Sequence, residues 1–172
     1  MNKKVKSFKR VCAVCHKLQK GGKSIVFCHG FFDILHRGHV ELLVRAKKLG
    51  DVLVIGVDHD DNARILKGPK RPINDHTSRM FVLANLEPVD FVFLIDPFKD
   101  ISFTKAPLSN FYLKKYYAKL KPDVVASCIR KDNGGGLLKE KQAEEIGAKF
   151  VNIQRGYYEK DTTKIIELLG LD

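Results

Sequence analysis

Short apolar segments alternate with amphipathic segments along most of the chain. Five runs rich in β-branched and aromatic residues predict strands, at 24–28, 51–57, 91–95, 123–127 and 149–153. Helical spacing of apolar positions predicts helices at 39–49, 74–86, 111–120, 137–146 and 162–169. Because wholly apolar strands that alternate with helices are typical of a parallel sheet covered on both faces, the pattern predicts an α/β fold of three layers around a five-stranded parallel sheet.

The segments that follow the strands are where we expect chemistry. Parallel α/β sheets bind ligands beyond the carboxyl ends of their strands, at the point where the strand order reverses. A long connection at 97–110 and a glycine-rich stretch at 132–136 lie at such places, and long loops in compact α/β domains are often functional.

The first 22 residues form a basic arm, and residues 23–172 are expected to form one domain. Within the arm, apolar residues recur at spacings of three and four, as on one face of a helix, at Val5, Phe8, Cys12, Cys15 and Leu18. This stripe is typical of a helix packed on the domain. An anionic surface partner and a helix that lines an anionic substrate's approach stay open as alternatives.

The charge of the 172-residue chain is uneven. The net charge is +11, yet the first 23 residues hold eight basic side chains and no acidic one. Because the remainder is nearly balanced and the arm has no recognised nucleic-acid-binding motif, the charge does not favour a nucleic-acid partner. No apolar run approaches the ~20 residues of a membrane helix, and no secretory signal is visible, so we expect no membrane association.

A second motif in the arm is misleading. Cys12, Cys15 and His16 spell C-x-x-C-H, the pattern that attaches a c-type haem. We reject haem because no export signal is visible and because both cysteines fall on the apolar stripe, where free cysteine packs as a small hydrophobe. A zinc site is not expected either, because no second ligand pair at suitable spacing is evident. Together with Cys28 and Cys128 they indicate a reducing compartment, so we expect a cytoplasmic protein.

Two histidines after the first strand are the strongest candidates for chemistry. His36 and His39 flank Gly38 in the stretch 28–39, C-H-G-F-F-D-I-L-H-R-G-H. If a helix begins near Gly38, both imidazoles lie on its first turn, beside unpaired backbone N–H groups and the positive end of the helix dipole. Such a turn suits a phosphate and the charge that grows during phosphoryl transfer. Two surface histidines near a turn are the alternative.

These residues resemble the signature of the H-x-G-H nucleotidyltransferases, the cytidylyltransferase-like enzymes with a Rossmann-like sheet. The chain is most similar to the heptose 1-phosphate adenylyltransferases, in the stretches 30–39, 56–60, 66–68, 71–74, 79–90 and 161–166. The resemblance implies a Rossmann-like three-layer sandwich. It also implies transfer of a nucleoside monophosphate, AMP from ATP, to a phosphorylated sugar or polyol, with release of pyrophosphate.

The resemblance assigns roles inside the motif. His36 and His39 would contact the phosphates and stabilise the transition state. Asp33 would hold the motif loop or the ligand, with a simple helix cap as the alternative. Nucleotide-binding roles are implied for Gly30, Phe31, Phe32, Asp33 and Gly38.

Further roles lie outside the motif. Lys67, in the loop after the second strand, would neutralise phosphate charge, unless it is an ordinary solvated lysine. Asp60 would lie near the acceptor or a metal, and Arg79 would serve the phosphates or form a structural ion pair. Nucleotide contacts are also implied for Arg155, Thr162 and Thr163.

The family pattern implies a metal ion and an oligomeric state for the chain. Magnesium would accompany the triphosphate, held mainly by phosphate oxygens, with no protein ligand assigned. A second copy of the chain would complete a homodimer.

Three departures from the pattern leave the base and the acceptor open. Residues 126–133 replace the Lys-Gly-Gly-Asp stretch of the heptose branch, Asp161 replaces a serine, and the region 97–120 is longer. Its basic aromatic helix is either a surface helix or an extra helix over the acceptor site. The alternatives are a cytidylyltransferase acting on glycerol or ethanolamine phosphate, and an adenylyltransferase acting on flavin mononucleotide.

Overall fold

The computed structural model describes residues 2–98, 112–129, 135–154 and 162–170, with only the backbone for 113, 114 and 135–137. The strands are β1 (Ile25–Gly30), β2 (Val52–Asp58), β3 (Phe91–Ile95), β4 (Val124–Ser127) and β5 (Lys149–Asn152). The helices are α1 (Phe8–Lys20), α2 (Arg37–Lys47), α3 (Asp60–Lys67), α4 (His76–Ala84), a π-helical turn (Leu113–Tyr117) that runs into α5 (Ala118–Leu120), α6 (Gly135–Glu145) and α7 (Thr162–Leu168).

The five strands pair in parallel in the order β3-β2-β1-β4-β5. β1 lies at the centre, in register with β2 from Ile25 opposite Val52 to Gly30 opposite Val57. The strand order reverses between β1 and β4, so the crevice that binds ligands in such sheets lies at the carboxyl ends of these two strands. The predicted five-stranded parallel sheet is confirmed.

Alternate residues of each strand face opposite layers, because successive side chains of a strand point to the two faces in turn. In β1, Val26 and Cys28 belong to the core cluster that contains residues of α2 and α4. Ile25 and Phe27 belong to the cluster that contains residues of α1, the π-helical turn and α6. The result is the predicted three-layer sandwich, with a core on each face of the sheet.

The basic arm is packed on the sheet through α1. Val11 and Cys15 are fully buried, and the ring of Phe8 lies 4.8 Å from the ring of Phe93. Burial raises the pKa of the Cys15 thiol to about 12, so this cysteine is a protonated core side chain. The predicted apolar stripe is confirmed, and these contacts favour the interpretation of a helix packed on the domain.

Two elements differ from the sequence-based prediction. The segment after β2 is the helix α3, so Lys67 ends a helix and does not lie in a loop. The helix predicted at 111–120 is not a surface helix, because Tyr116 and Tyr117 are fully buried. Their hydroxyl groups bond to the Asp96 carboxylate and to the His29 ring, which satisfies the polar tips of both side chains inside the core.

Gly56, in the middle of β2, leaves no room for a side chain. A Cβ atom there would lie 2.8 Å from Cδ1 of Ile95 and 3.2 Å from the ring of Phe27. We expect Gly56→Ala to lower the free energy of unfolding by about 1–3 kcal/mol, since overpacking a filled core is destabilising. Urea titration measures the loss. Adding Ile95→Val, which removes the crowding Cδ1 methyl, should restore part of the stability. An unchanged midpoint in the single variant would contradict the packing.

Candidate active site

A cavity of about 440 Å³ opens at the carboxyl ends of β1, β2 and β4. It collects side chains from segments far apart in the sequence, including most of the predicted site residues. Its lining consists of His29, Gly30, Phe31, Phe32, Asp33, His36, His39, Asp58, Lys67, Arg71, Tyr112, Ser127, Cys128, Ile129, Lys139, Thr162 and Thr163.

His36 and His39 cap the start of α2 with their own rings. Nδ1 of His36 accepts a hydrogen bond from the Gly38 backbone N–H at 3.1 Å, and Nδ1 of His39 accepts one from the His36 backbone N–H at 3.4 Å. The ring centroids lie 4.0 Å apart. A ring nitrogen that accepts carries no proton, so each neutral ring carries its proton on Nε2. Two Nε2–H donors therefore lie side by side at the positive end of the helix dipole.

Four of the backbone N–H groups at this turn are engaged within the protein. The N–H groups of His36 and Gly38 donate to the two rings, and those of His39 and Val40 donate to the His36 carbonyl. Fewer open N–H groups than expected remain, because the two histidines themselves form a capping box. An anion at this end of α2 would meet imidazole N–H groups rather than these backbone groups.

Asp33 holds the motif loop in place. Its carboxylate is 3% exposed and accepts hydrogen bonds from the backbone N–H groups of Ile73 and Asn74. Its carbonyl oxygen accepts a hydrogen bond from the Thr162 hydroxyl at 2.9 Å. The loop after β1 is thus joined to the segment before α4 and to the first residue of α7. Of the roles considered for Asp33, these contacts support holding the loop.

The backbone between Asp33 and its neighbours is strained. Phe32 and Ile34 adopt φ values of 53° and 43°, in the left-handed region that bulky side chains rarely occupy. Such conformations persist where surrounding contacts over-determine them, and here the Asp33 hydrogen bonds and the buried Phe32 ring do so. The Phe32 ring lies 5.6 Å from the ring of His39, so the turn also supports the histidine pair.

Arg79 is buried behind the cavity and does not line it. Its guanidinium donates to the carbonyl oxygens of Phe31, Asp58 and Asn74. It also donates to Oδ1 of Asp60 at 2.6 Å. Arg79 therefore forms the structural ion pair that the sequence left as an alternative to phosphate binding.

Asp60 is engaged by a second partner as well. Its Oδ2 lies 2.9 Å from Nδ1 of His76, and Asp60 is absent from the cavity lining. The expectation of an acceptor or metal contact from Asp60 is not supported by this placement, because both carboxylate oxygens bond within the protein.

The sequence-based prediction missed three polar residues that line the cavity beside the motif, namely His29, Asp58 and Tyr112. The His29 ring stacks on Tyr112 with centroids 4.4 Å apart, and the Tyr112 hydroxyl donates to Oδ1 of Asp58 at 2.6 Å. Burial lowers the pKa of His29 well below its ordinary value, and it raises the pKa of Asp58. His29 is therefore a neutral ring held by Nε2 against the Tyr117 hydroxyl at 3.0 Å.

Lys139 is another cavity residue that the sequence-based prediction missed. It lies on α6, and its Nζ donates to Oγ of Ser127 at 3.1 Å. Nothing in a charged helix distinguishes one inward-facing lysine from its solvated neighbours. The available signal was its position in the sequence, about one helical turn after the glycine-rich stretch that follows β4.

The comparison with known proteins places these features in one family. The model of the cytidylyltransferase-like family matches residues 27–155, a range that runs from the third residue of β1 to just past β5 and contains the two histidines. The chain belongs to the cytidylyltransferase-like family.

Relatives of this cytidylyltransferase-like chain are larger proteins. The chain is 45% identical over 104 residues to bifunctional protein HldE of Nitratiruptor sp., which is 59% of this chain and 22% of that protein. It is 36% identical over 154 residues to bifunctional protein HldE of Helicobacter pylori, which is 87% of this chain and 28% of that protein. The chain thus spans less than a third of the length of either curated relative.

A solved structure gives a match of similar length. The lipopolysaccharide core biosynthesis protein of Thermoplasma volcanium superposes with a TM-score of 0.55 at 28% identity. The match covers 80% of this chain and 100% of that one.

The remaining candidates of the cytidylyltransferase-like site fall into three groups. Lys67, Thr162 and Thr163 line the cavity together with the predicted motif backbone. Gly38 lines a smaller hollow that adjoins it. Arg155 lies outside the described residues, as do Asp161 and the segments 99–111 and 130–134.

The described residues do not offer a ligand set for a resident metal ion. No group of three His, Cys, Asp or Glu side chains among them is placed to hold one. The carboxylates that line the cavity are engaged by backbone N–H groups at Asp33 and by the Tyr112 hydroxyl at Asp58. Among these same residues, no helix is both long and apolar enough to cross a membrane.

Proposed function

We propose that this protein is an adenylyltransferase that transfers AMP from ATP to a heptose phosphate and releases pyrophosphate. The observation that carries the proposal is the pair of Nε2–H donors of His36 and His39 at the start of α2, in a cavity that also holds Lys67 and Lys139. Membership of the cytidylyltransferase-like family supports the reaction type. The resemblance to heptose 1-phosphate adenylyltransferases, and the relatives named HldE, support the acceptor.

The chemistry is a direct displacement at the α-phosphorus. An oxygen of the acceptor phosphate attacks, the bond to the β-phosphate bridging oxygen breaks, and pyrophosphate leaves. The Nε2–H groups of His36 and His39 donate to the non-bridging oxygens, where charge grows in the transition state. Lys67 neutralises phosphate charge from the end of α3, and Asp33 keeps the motif loop in the productive shape. Catalysis is thus positioning plus electrostatic stabilisation.

Magnesium is part of the proposed substrate. We propose that it accompanies ATP, held by phosphate oxygens and water, because this ion retains several waters and is commonly bound through substrate phosphates. The engaged carboxylates of Asp33 and Asp58 support a metal that arrives with the nucleotide rather than a resident one.

A substrate matrix tests the proposal. Pyrophosphate release is measured for ATP, CTP, GTP and UTP, each with heptose 1-phosphate, glycerol 3-phosphate, ethanolamine phosphate or flavin mononucleotide, and without acceptor. We expect the fastest release from ATP with heptose 1-phosphate. Release only from CTP with glycerol or ethanolamine phosphate, or only from ATP with flavin mononucleotide, would replace the proposed substrates. If no substrate pair releases pyrophosphate, the proposed nucleotidyltransferase activity is overturned.

We also propose a homodimer in a reducing cytoplasm. The exposed apolar side chains of α4, Phe81 at 65% and Val82 at 45%, support a covered helix face. The four free cysteines support the compartment. Sedimentation equilibrium distinguishes dimer from monomer, and Phe81→Glu should shift a dimer toward monomer.

A further inference from the structure

Two further hollows adjoin the 440 Å³ cavity and share lining residues with it, and each contains cationic side chains. One, of about 150 Å³, contains Lys139 together with Gly38, His39, Ser127 and Cys128. The other, of about 530 Å³, contains Lys67, Lys70, Arg71 and Thr163. The first lies on the β4 side of the crevice and the second on the β2 side.

The ammonium group of Lys139 sits in a position that favours an anionic ligand. It donates to the Ser127 hydroxyl, and it forms no ion pair with the part of the chain that the structure describes. Desolvation lowers the pKa of Lys139, because removal from water disfavours the charged ammonium. Lys139 is partly buried, and a partly desolvated cation of this kind is stabilised when an anion binds beside it.

The charge of each hollow matches a different part of a nucleoside triphosphate. The α-phosphate carries about one negative charge, whereas the pyrophosphate carries most of the remainder. The larger hollow is lined by Lys67, Lys70 and Arg71, and the Arg71 guanidinium also lies 3.5 Å from the Asp33 carboxylate. The hollow with Lys139 offers one ammonium beside His39.

We propose that Lys139 binds a non-bridging oxygen of the transferred α-phosphate, from the wall opposite Lys67. This rests on the proposed function for the transfer step, whereas the anion site itself does not. Lys139 keeps its proton while the bond to pyrophosphate breaks and the bond to the acceptor oxygen forms. It stabilises the charge on the α-phosphate together with the histidine Nε2–H groups, and would therefore be a catalytic residue.

Four proteins test this role: the wild type, Lys139→Met, Lys139→Arg and the control Lys141→Met, which removes an exposed lysine from the same helix. Calorimetry measures the binding of AMP, adenosine and pyrophosphate to each. We expect Lys139→Met to weaken AMP binding about tenfold, as loss of a charge-assisted hydrogen bond predicts, and to leave adenosine and pyrophosphate binding unchanged. Lys139→Arg should recover most of the AMP affinity, and Lys141→Met should match the wild type.

Turnover and pH give independent readouts. In the transfer assay Lys139→Met should lower kcat about 10²–10³-fold. The wild-type affinity for AMP should fall at alkaline pH as Lys139 loses its proton, whereas the Arg variant should keep its affinity. The ionisable groups that face Lys139 are Cys28, Cys128, Asp58 and His29. Of these, the Cys28 thiol has a pKa raised by burial to about 11, so the Arg variant also separates lysine titration from thiol titration.

The outcomes separate the two proposals. Wild-type AMP affinity in a folded Lys139→Met protein would overturn the role of Lys139, as would a loss confined to pyrophosphate. If the Met variant does not fold, unchanged AMP affinity with a persistent alkaline loss in the Arg variant would overturn it as well. An AMP effect in Lys139→Met, with no pyrophosphate release by the wild type from any substrate pair, would overturn the proposed function and leave the anion site standing.

Discussion

Replacing His36 by Asn should lower kcat about 10²–10³-fold, the usual effect of removing one preorganised donor to a transition-state oxyanion. Asn can still cap α2, because its side-chain oxygen can accept from the Gly38 N–H in place of Nδ1. It has no group at the position of Nε2. The substitution therefore removes the proposed donor and keeps the helix cap. Pyrophosphate release measures the rate, and urea titration measures the stability.

His36→Ala is the matched comparison, because it removes both the donor and the cap. We expect the same loss of kcat, with an additional loss of about 1 kcal/mol in the free energy of unfolding. His39→Asn should behave as His36→Asn does, since Nδ1 of His39 accepts from the His36 N–H. Wild-type turnover in a folded His36→Asn protein would mean that the His36 ring serves only to cap the helix.

Replacing Arg79 by Met should lower the free energy of unfolding by about 3–5 kcal/mol, the range expected when one partner of a buried ion pair is removed. The substitution leaves the Asp60 carboxylate without its guanidinium partner. It also removes the donor to the Phe31 and Asp58 carbonyls. Arg79→Lys should recover only part of this, because an ammonium cannot span the same acceptors. Urea titration checks both variants.

An exposed arginine provides the control. Arg64 pairs with Asp61 at the surface of α3, with both side chains about half exposed, and Arg64→Met should change stability by less than about 1 kcal/mol. In the double variant Arg79→Met with Asp60→Asn, the loss should be smaller than the sum of the single losses, because no unpaired charge remains. If Arg64→Met and Arg79→Met lower the free energy of unfolding equally, the buried network around Arg79 stabilises the protein no more than an exposed ion pair does.

The parts of the fold that follow local periodicity could be predicted. β3 has the predicted bounds, and the other four strands differ from theirs by one or two residues at one or both ends. The histidine pair could also be predicted, since a glycine and two histidines at this spacing after an apolar strand occupy one helical turn. What the sequence could not show was that each ring caps the helix, because this depends on rotamers set by the strained loop at Phe32 and Ile34.

Other features depend on contacts between distant segments. The helix α3 carried a usable signal, with Asp60 and Asp61 in its first turn and Arg64 and Lys67 in its last, an arrangement that complements the helix dipole. The burial of Tyr116 and Tyr117 had no such signal in the sequence, because the neighbouring lysines give that segment the composition of an exposed helix. Lys139 enters the site only because α6 folds back over the end of β4.

We expect the cavity that contains His36 and His39 to join a nucleoside monophosphate to a phosphorylated sugar. Mass spectrometry of the product from ATP and heptose 1-phosphate tests it most directly, with the His36→Asn protein as the parallel reaction. We predict one product with the mass of the sugar phosphate plus AMP less water, formed with one equivalent of pyrophosphate, and almost none from the variant. Pyrophosphate release without this product would contradict the proposed transfer reaction, and an equal amount of product from the variant would contradict the proposed role of His36.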